Sequence, residues 1–166
     1  MVFKICGIYG RNFNLAIRSP KDGVFRDIGN IIVIEDADTK YGVEAAFGES
    51  NTISKINGLD NSIQADYISY FIDTTDKRNI KLADSVSVTT HLIHEGVKPG
   101  GSNTQRKVLR EYIKAMLYWS EKNGVSLEDV AEIMKRYELF EYGFNTKELL
   151  DFNKKLCREE SERDVL

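Results

Sequence analysis

The chain has 166 residues, of which 42% are hydrophobic and 30% are charged, and its net charge is −3. This balance is typical of a globular protein with a core and excludes a low-complexity or disordered polymer. No run approaches the roughly 20 apolar residues of a membrane-spanning helix, and the first residues lack a secretion signal. The sequence therefore predicts a cytoplasmic protein that makes no contact with membranes.

The first half of the chain predicts β-strands. Apolar runs at residues 2–9 and 13–17 flank Gly10-Arg11-Asn12, and this pattern is typical of a hairpin turn. A second turn is predicted at residues 19–23, where proline and glycine favour a change of direction. The remaining predictions for this half are a strand at 31–34, a turn at 36–40, a strand at 41–47, a connection with a short helix at 48–61, and strands at 63–72 and 85–94.

The second half predicts three helices, because three capping patterns precede its apolar stripes. The patterns are Ser102 with Gln105, Ser126 with Asp129, and Asn145 with Glu148. They predict helices at 102–123, 126–137 and 145–160, with Gly124 ending the first.

Strands followed by helices predict one α+β domain over residues 1–166, with an N-terminal mainly antiparallel sheet and a cluster of about three C-terminal helices. Residues 1–95 are expected to be strand-rich and residues 96–160 helical. A frayed tail is expected at 161–166.

Charge is distributed unevenly along the chain. Residues 96–124 carry six Lys or Arg against two Asp or Glu, whereas residues 1–95 carry 10 against 13 and residues 125–166 carry 7 against 11. From Lys98 to Gln105 there is no carboxylate, although the start of a helix normally attracts acidic side chains. A phosphate bound there would relieve the repulsion between the helix end and the added cations.

The leading hypothesis is therefore a non-enzymatic protein that contacts phosphate groups of nucleic acid or of a phosphorylated ligand at this basic helix start. Its predicted ligand-binding residues are Lys98, Gly100, Gly101, Ser102, Asn103, Thr104, Arg106, Lys107, Arg110 and Lys114. The glycines would let backbone N–H groups approach a phosphate, and Arg106, Arg110 and Lys114 recur every four residues along one helix face.

Two other functions are left open. The acidic C-terminal helices, with the aromatic residues Tyr137, Phe140, Tyr142 and Phe144, suggest a regulator or inhibitor that binds a protein partner; the same aromatics are also expected of a local core. A small phosphoester-acting enzyme would use His91, but on a strand His91 and His94 would project to opposite faces.

No cofactor and no metal are predicted. The two cysteines and two histidines do not form a zinc pattern, and Asp36 with Asp38 is better explained as a hairpin turn than as a magnesium site.

Overall fold

Within residues 2–5, 8–36, 38–100 and 103–163, which a computed structural model describes, four β-strands form an antiparallel sheet. The strands are β1 (Val2–Ile5), β2 (Ile8–Arg18), β3 (Phe25–Glu35) and β4 (Lys40–Phe47). They pair in chain order, so that β2 and β3 are the central strands. Helix α1 (Glu49–Ile56) and short 3₁₀ helices at Ser62–Ala65 and Tyr67–Tyr70 follow the sheet.

Four longer helices make up the rest of the described chain. They are α2 (Ile80–His94), α3 (Thr104–Asn123), α4 (Leu127–Tyr142) and α5 (Lys147–Arg163). An antiparallel sheet followed by helices is the α+β class, which confirms the fold class that the sequence predicts. None of the helices in the described residues combines the length and the apolar character needed to cross a membrane.

The hairpin turn predicted at Gly10-Arg11-Asn12 is wrong, because these residues continue β2. Gly10 pairs with Phe3 on one side and with Ile34 on the other. Strands β1 and β2 instead form a hairpin in which Ile5 lies opposite Ile8. Pairing on both sides of β2 outweighs the local turn preference of glycine and asparagine. A single sequence does not reveal this pairing.

The turn predicted at residues 19–23 is confirmed. The backbone N–H of Ser19 donates to the carbonyl of Val24 at 2.9 Å, and the N–H of Gly23 donates back to the carbonyl of Ser19 at 2.9 Å. Gly23 has a φ of 72°, a conformation that costs glycine little and other residues more. This geometry joins β2 to β3.

The turn predicted at residues 36–40 joins β3 to β4 and is also confirmed, although Ala37 lies outside the described residues. The Asp36 carboxylate accepts hydrogen bonds from the backbone N–H groups of Asp38 at 2.9 Å and Thr39 at 2.7 Å. It also accepts one from the hydroxyl of Tyr41. Asp36 therefore closes a polar hairpin, as the sequence predicts.

The strands predicted at 63–72 and 85–94 are wrong. The first segment contains the two 3₁₀ helices, and the second lies within α2. Alternation of apolar and hydroxyl residues suggested a half-buried strand, but the hydroxyl groups are buried on the helix. Ser85 donates to the carbonyl of Lys81 at 2.8 Å, and Thr90 donates to that of Val86 at 2.8 Å. These bonds satisfy polar groups inside a helix that is buried on most sides, which removes the usual amphipathic signal.

The three C-terminal helices are confirmed, with shifted starts for α3 and α5. Ser102 lies outside the described residues, and the cap of α3 is Asn103, whose side chain accepts from the N–H of Arg106 at 2.9 Å. At α5 the hydroxyl of Thr146 accepts from the N–H of Leu149 at 3.2 Å. Gly124 ends α3 with a φ of 67°, as predicted.

Contacts within the chain divide it into two compact units, Met1–Asp66 and Tyr67–Leu166. In the second unit α2 contacts α3, α4 and α5, and the core between these helices includes Val86, Leu109, Met116, Met134 and Leu149. The prediction of a single domain over residues 1–166 stays a prediction.

Candidate anion-binding groove

Helix α3 begins without an acidic residue in its first turn. By contrast, α4 begins with Glu128 and Asp129, and α5 has Glu148 in its first turn. Helix α2 also lacks an acidic residue in its first turn, so this property does not set α3 apart from every helix. A binding site at α3 therefore depends on the residues that surround the helix and not on the helix start alone.

A groove of about 720 Å³ lies beside α3 in the second unit. Its walls come from the end of α2 with the loop that follows it, from one face of α3, and from one face of α5. This volume falls within the range of small-molecule sites, roughly 300–1,000 Å³. The groove is therefore large enough to bury most of a small ligand.

The groove has an excess of positive charge. Its five cationic side chains are Lys98, Arg110, Lys114, Lys147 and Lys155, and its two carboxylates are Glu148 and Asp151. Five cations against two carboxylates leave a net charge of +3 in a chain whose net charge is −3. Cations that converge on one concavity attract an anion and repel one another when it is empty.

Two contacts position the cations on α3. The guanidinium of Arg110 donates to the carbonyl of Pro99 at 2.8 Å and so ties the loop after α2 to the helix. Lys114 pairs with Glu111 at 2.9 Å, but both side chains are about 70% exposed, so the pair is weak and easily exchanged. Lys98 is exposed in the loop itself.

The other part of the lining is apolar. It consists of Ile93, Val97, Ile113, Leu117, Phe152 and Leu156, together with Pro99. Ile93 and Leu156 are only 3% and 4% exposed, and therefore form the deepest part of the lining. A concave apolar surface with a charged edge is the usual composition of a ligand site.

The structure brings together three of the ten residues predicted to bind a ligand, namely Lys98, Arg110 and Lys114. Arg106 and Lys107 lie on α3 but are not part of the groove lining. Arg106 lies about one helix turn nearer the start of α3 than Arg110, and the part of α3 that lines the groove begins at Arg110.

The remaining predicted residues lie near the start of α3. Asn103 caps the helix, and Thr104 is exposed in its first turn. Gly100 is exposed, and a Cβ atom at this position would meet no atom within 4 Å, so the structure gives no steric reason for a glycine. Gly101 and Ser102 lie outside the described residues.

Sequence reasoning missed Lys147 and Lys155, which line the groove from α5. The start of this helix is near neutral to acidic when it is considered alone. The available signal was the spacing, because Lys147, Asp151 and Lys155 recur every four residues and residues four apart lie along one side of a helix. That signal points to a site only once α5 is known to face α3 across the groove.

His91 and His94 lie on the same side of α2, which corrects the expectation based on a strand. Residues three apart share a helix face, whereas on a strand they do not. The two ring nitrogens of His91 are hydrogen bonded, Nε2 to the hydroxyl of Tyr137 at 2.8 Å and Nδ1 to the hydroxyl of Tyr142. Burial, followed by nearby carboxylates, raises the pKa of Tyr142. His91 is not part of the groove lining.

Glu138 is a fully buried carboxylate between α4 and α5. It accepts from Nδ1 of His94 at 2.9 Å, from the side chain of Asn145 at 3.0 Å, and from both the N–H and the hydroxyl of Thr146, at 3.0 and 2.6 Å. Burial raises the pKa of Glu138, but the hydrogen bonds from Thr146, Asn145 and His94 outweigh it, and the pKa lies below its ordinary value. This cluster holds the start of α5 in place.

The four aromatic residues predicted as a partner surface or as core differ in burial, and the partner surface stays a prediction. Tyr137 is 1% exposed and belongs to the core, and the ring of Tyr142 stacks on His94 with 3.5 Å between centroids. Phe140 and Phe144 are 54% and 56% exposed.

Among the described residues no group of three or more His, Cys, Asp and Glu is arranged to hold a metal ion; the absence of a metal stays a prediction.

Comparison of the chain with models of protein families, with curated proteins and with solved structures gives no match.

Proposed function

We propose that this protein is a non-enzymatic binding protein that holds a phosphorylated small ligand in the groove beside α3. The observation that carries the proposal is the convergence of Lys98, Arg110 and Lys114 with Lys147 and Lys155 around one concavity. Three separate stretches of chain supply these cations. A phosphate bound among them makes charge-assisted hydrogen bonds, which are stronger than those between neutral groups.

The groove favours a small ligand over nucleic acid. A nucleic-acid backbone would follow the row of cations that runs from Arg106 to Lys114, and its affinity would fall steeply with salt. Arg110 and Lys114 of that row line the groove, but Arg106 does not. The groove also has apolar walls, which a phosphate backbone would not contact favourably. A ligand that enters a concave site of this size buries most of its own surface.

Titration with phenyl phosphate, followed by isothermal calorimetry, tests the proposal. We expect the double variant Arg110→Gln with Lys114→Gln to weaken binding at least tenfold, because two charge-assisted contacts are lost. Arg106→Gln with Lys107→Gln is the matched control, since it removes the same charge from the same helix outside the groove. Thermal melting of both variants checks that they remain folded.

Equal weakening in the two variants would contradict the proposal, because binding would then follow the overall charge of α3. A single-stranded oligonucleotide titrated in parallel measures whether the protein binds nucleic acid instead. If it binds and phenyl phosphate does not, the nucleic-acid form of the hypothesis is the correct one.

A second candidate function is protein binding through exposed aromatic side chains. Tyr67, Tyr70 and Phe140 are 42%, 69% and 54% exposed, and their ring centroids lie 5.5 to 6.1 Å apart. Clustered tyrosine and phenylalanine side chains are enriched at protein interfaces. Pull-down of partners with the native protein and with Phe140→Ala tests this candidate, which fails if the variant captures the same proteins.

A further inference from the structure

The two helical walls of the groove both combine charged and apolar side chains. On α3, Arg110 and Lys114 form a row at i and i+4, and Ile113 and Leu117 form a parallel row beside it. On α5, Lys147, Asp151 and Lys155 belong to one row, and Glu148, Phe152 and Leu156 form the neighbouring row. Residues four apart lie one above the other on a helix, so α3 presents a cationic row beside an apolar row, and α5 presents a row of mixed charge beside a row that is apolar at Phe152 and Leu156.

Burial orders these rows by depth. Leu156 and, on α2, Ile93 are nearly inaccessible at 4% and 3% exposure, whereas the side chain of Lys114 is 70% exposed. The apolar rows therefore form the floor of the groove and the cations form its rim. An inorganic phosphate would use the rim and leave the floor in contact with water, and a purely apolar molecule would use the floor and make no contact with the cations.

We infer that the ligand is an amphipathic phosphomonoester, with its phosphate at the cationic rim and an apolar body on the floor. This inference rests on the proposed function and adds the chemical class of the ligand. The two parts of the lining are complementary to the two parts of such a molecule, because the rim offers charge-assisted hydrogen bonds and the floor offers apolar surface to bury. The volume of about 720 Å³ accommodates a body of several carbon atoms beside the phosphate.

A series of n-alkyl phosphates from butyl to decyl, titrated below their micellar concentrations beside inorganic phosphate, tests the inference on the native protein. We expect affinity to rise roughly threefold to fourfold for each added methylene until the floor is covered, and then to level off. Naphthyl phosphate forms a second arm that distinguishes an aromatic body from an aliphatic one. Alkyl alcohols of the same lengths, which lack the phosphate, should bind at least tenfold more weakly.

Leu117→Gln tests where the apolar body lies. We expect this variant to lose most of the gain in affinity with chain length, because the alkyl body then meets a polar side chain. Val108→Gln is the matched control, because Val108 is on the same helix, is 40% exposed, and is not part of the groove lining. A gain with chain length that Leu117→Gln leaves unchanged would overturn the placement of the body on the floor.

The outcomes separate the two proposals. If all the alkyl and aryl phosphates bind no more tightly than inorganic phosphate, the inference about the apolar body is wrong and the phosphate-binding function stands. If neither inorganic phosphate nor any phosphomonoester binds, the proposed function is wrong, and the inference fails with it.

Discussion

Glu138 is a residue whose charge is built into the fold of the second unit. It has no exposed surface, and its two oxygens accept four hydrogen bonds from His94, Asn145 and Thr146. A buried carboxylate is costly unless its hydrogen-bonding capacity is satisfied, and here the donors satisfy it. Loss of the Glu138 charge should therefore destabilise the start of α5 more than loss of the charge of an exposed acidic residue would.

Replacing Glu138 with glutamine should lower the free energy of unfolding by about 1.5–3 kcal/mol at pH 7, the typical worth of hydrogen bonds to a charged group. The amide nitrogen of glutamine would also face donors that it cannot accept from. Urea denaturation measures the change. Glu132→Gln on the same helix is the control, because Glu132 is exposed and its change should stay within about 0.5 kcal/mol. Equal effects of the two substitutions would contradict this account.

The same carboxylate should make stability depend on acid. A glutamate in an unfolded chain has a pKa of about 4.3, and that of Glu138 in the folded protein is lower. Its stabilising effect is therefore complete at pH values above about 4.3 and is lost as the pH falls through the lower, folded-state pKa. We expect denaturation curves between neutral pH and pH 3 to show a smaller pH dependence in Glu138→Gln than in the native protein. Identical slopes would show that other acidic groups carry the effect.

At the scale of the elements, α4 has one side in the core and another side exposed. Tyr137 is 1% exposed and is hydrogen bonded to Ser87 at 3.0 Å and to His91, whereas Phe140 is 54% exposed. Tyr137→Ala should cost about 3–5 kcal/mol, as large-to-small changes in a core do. Phe140→Ala should cost about 1 kcal/mol, because it removes only edge contacts with other rings. Chemical denaturation compares them, and a cost above about 3 kcal/mol for Phe140→Ala would place it in the core instead.

Elements with local sequence signals are predicted correctly, and the predictions are wrong where tertiary contacts determine the secondary structure. Capping side chains and Gly124 mark the ends of α3 and α4 within a few residues of sequence. Residues 85–94 of α2 were predicted as a strand because apolar and polar residues alternate there; in the helix these residues are largely buried, and Ser85 and Thr90 bond to the preceding turn. The groove is harder to predict than the helices, because Arg110 and Lys155 face it only after α3 and α5 have packed against α2. Their charges were visible in the sequence, but their convergence was not.

At the scale of the whole molecule, the two compact units differ in how much apolar surface is buried among residues 11–36 and 38–66 of the first and residues 67–100 and 103–158 of the second. Of the 16 hydrophobic side chains that are buried in the described residues, all but Ile63 lie in Tyr67–Leu166. In residues 11–36 and 38–66 several large apolar side chains are more than half exposed, including Phe13, Phe25 and Val43. Burial of apolar surface is the main favourable contribution to folding, and units of about 60 residues are marginal even with a core.

We therefore expect a fragment of residues 67–166 to unfold cooperatively by itself and a fragment of residues 1–66 to show no cooperative transition. The first carries the core around Val86, Met116 and Leu149, and the second has Ile63 as its one buried hydrophobic side chain in the residues whose burial is described. Thermal melting followed by far-ultraviolet circular dichroism, with the whole chain as the reference, measures both. If the fragment of residues 67–166 melts without a transition, the helical core depends on the preceding residues. The chain would then be the single cooperative domain that the sequence predicts, and the groove variants would have to be assessed against the stability of the whole chain.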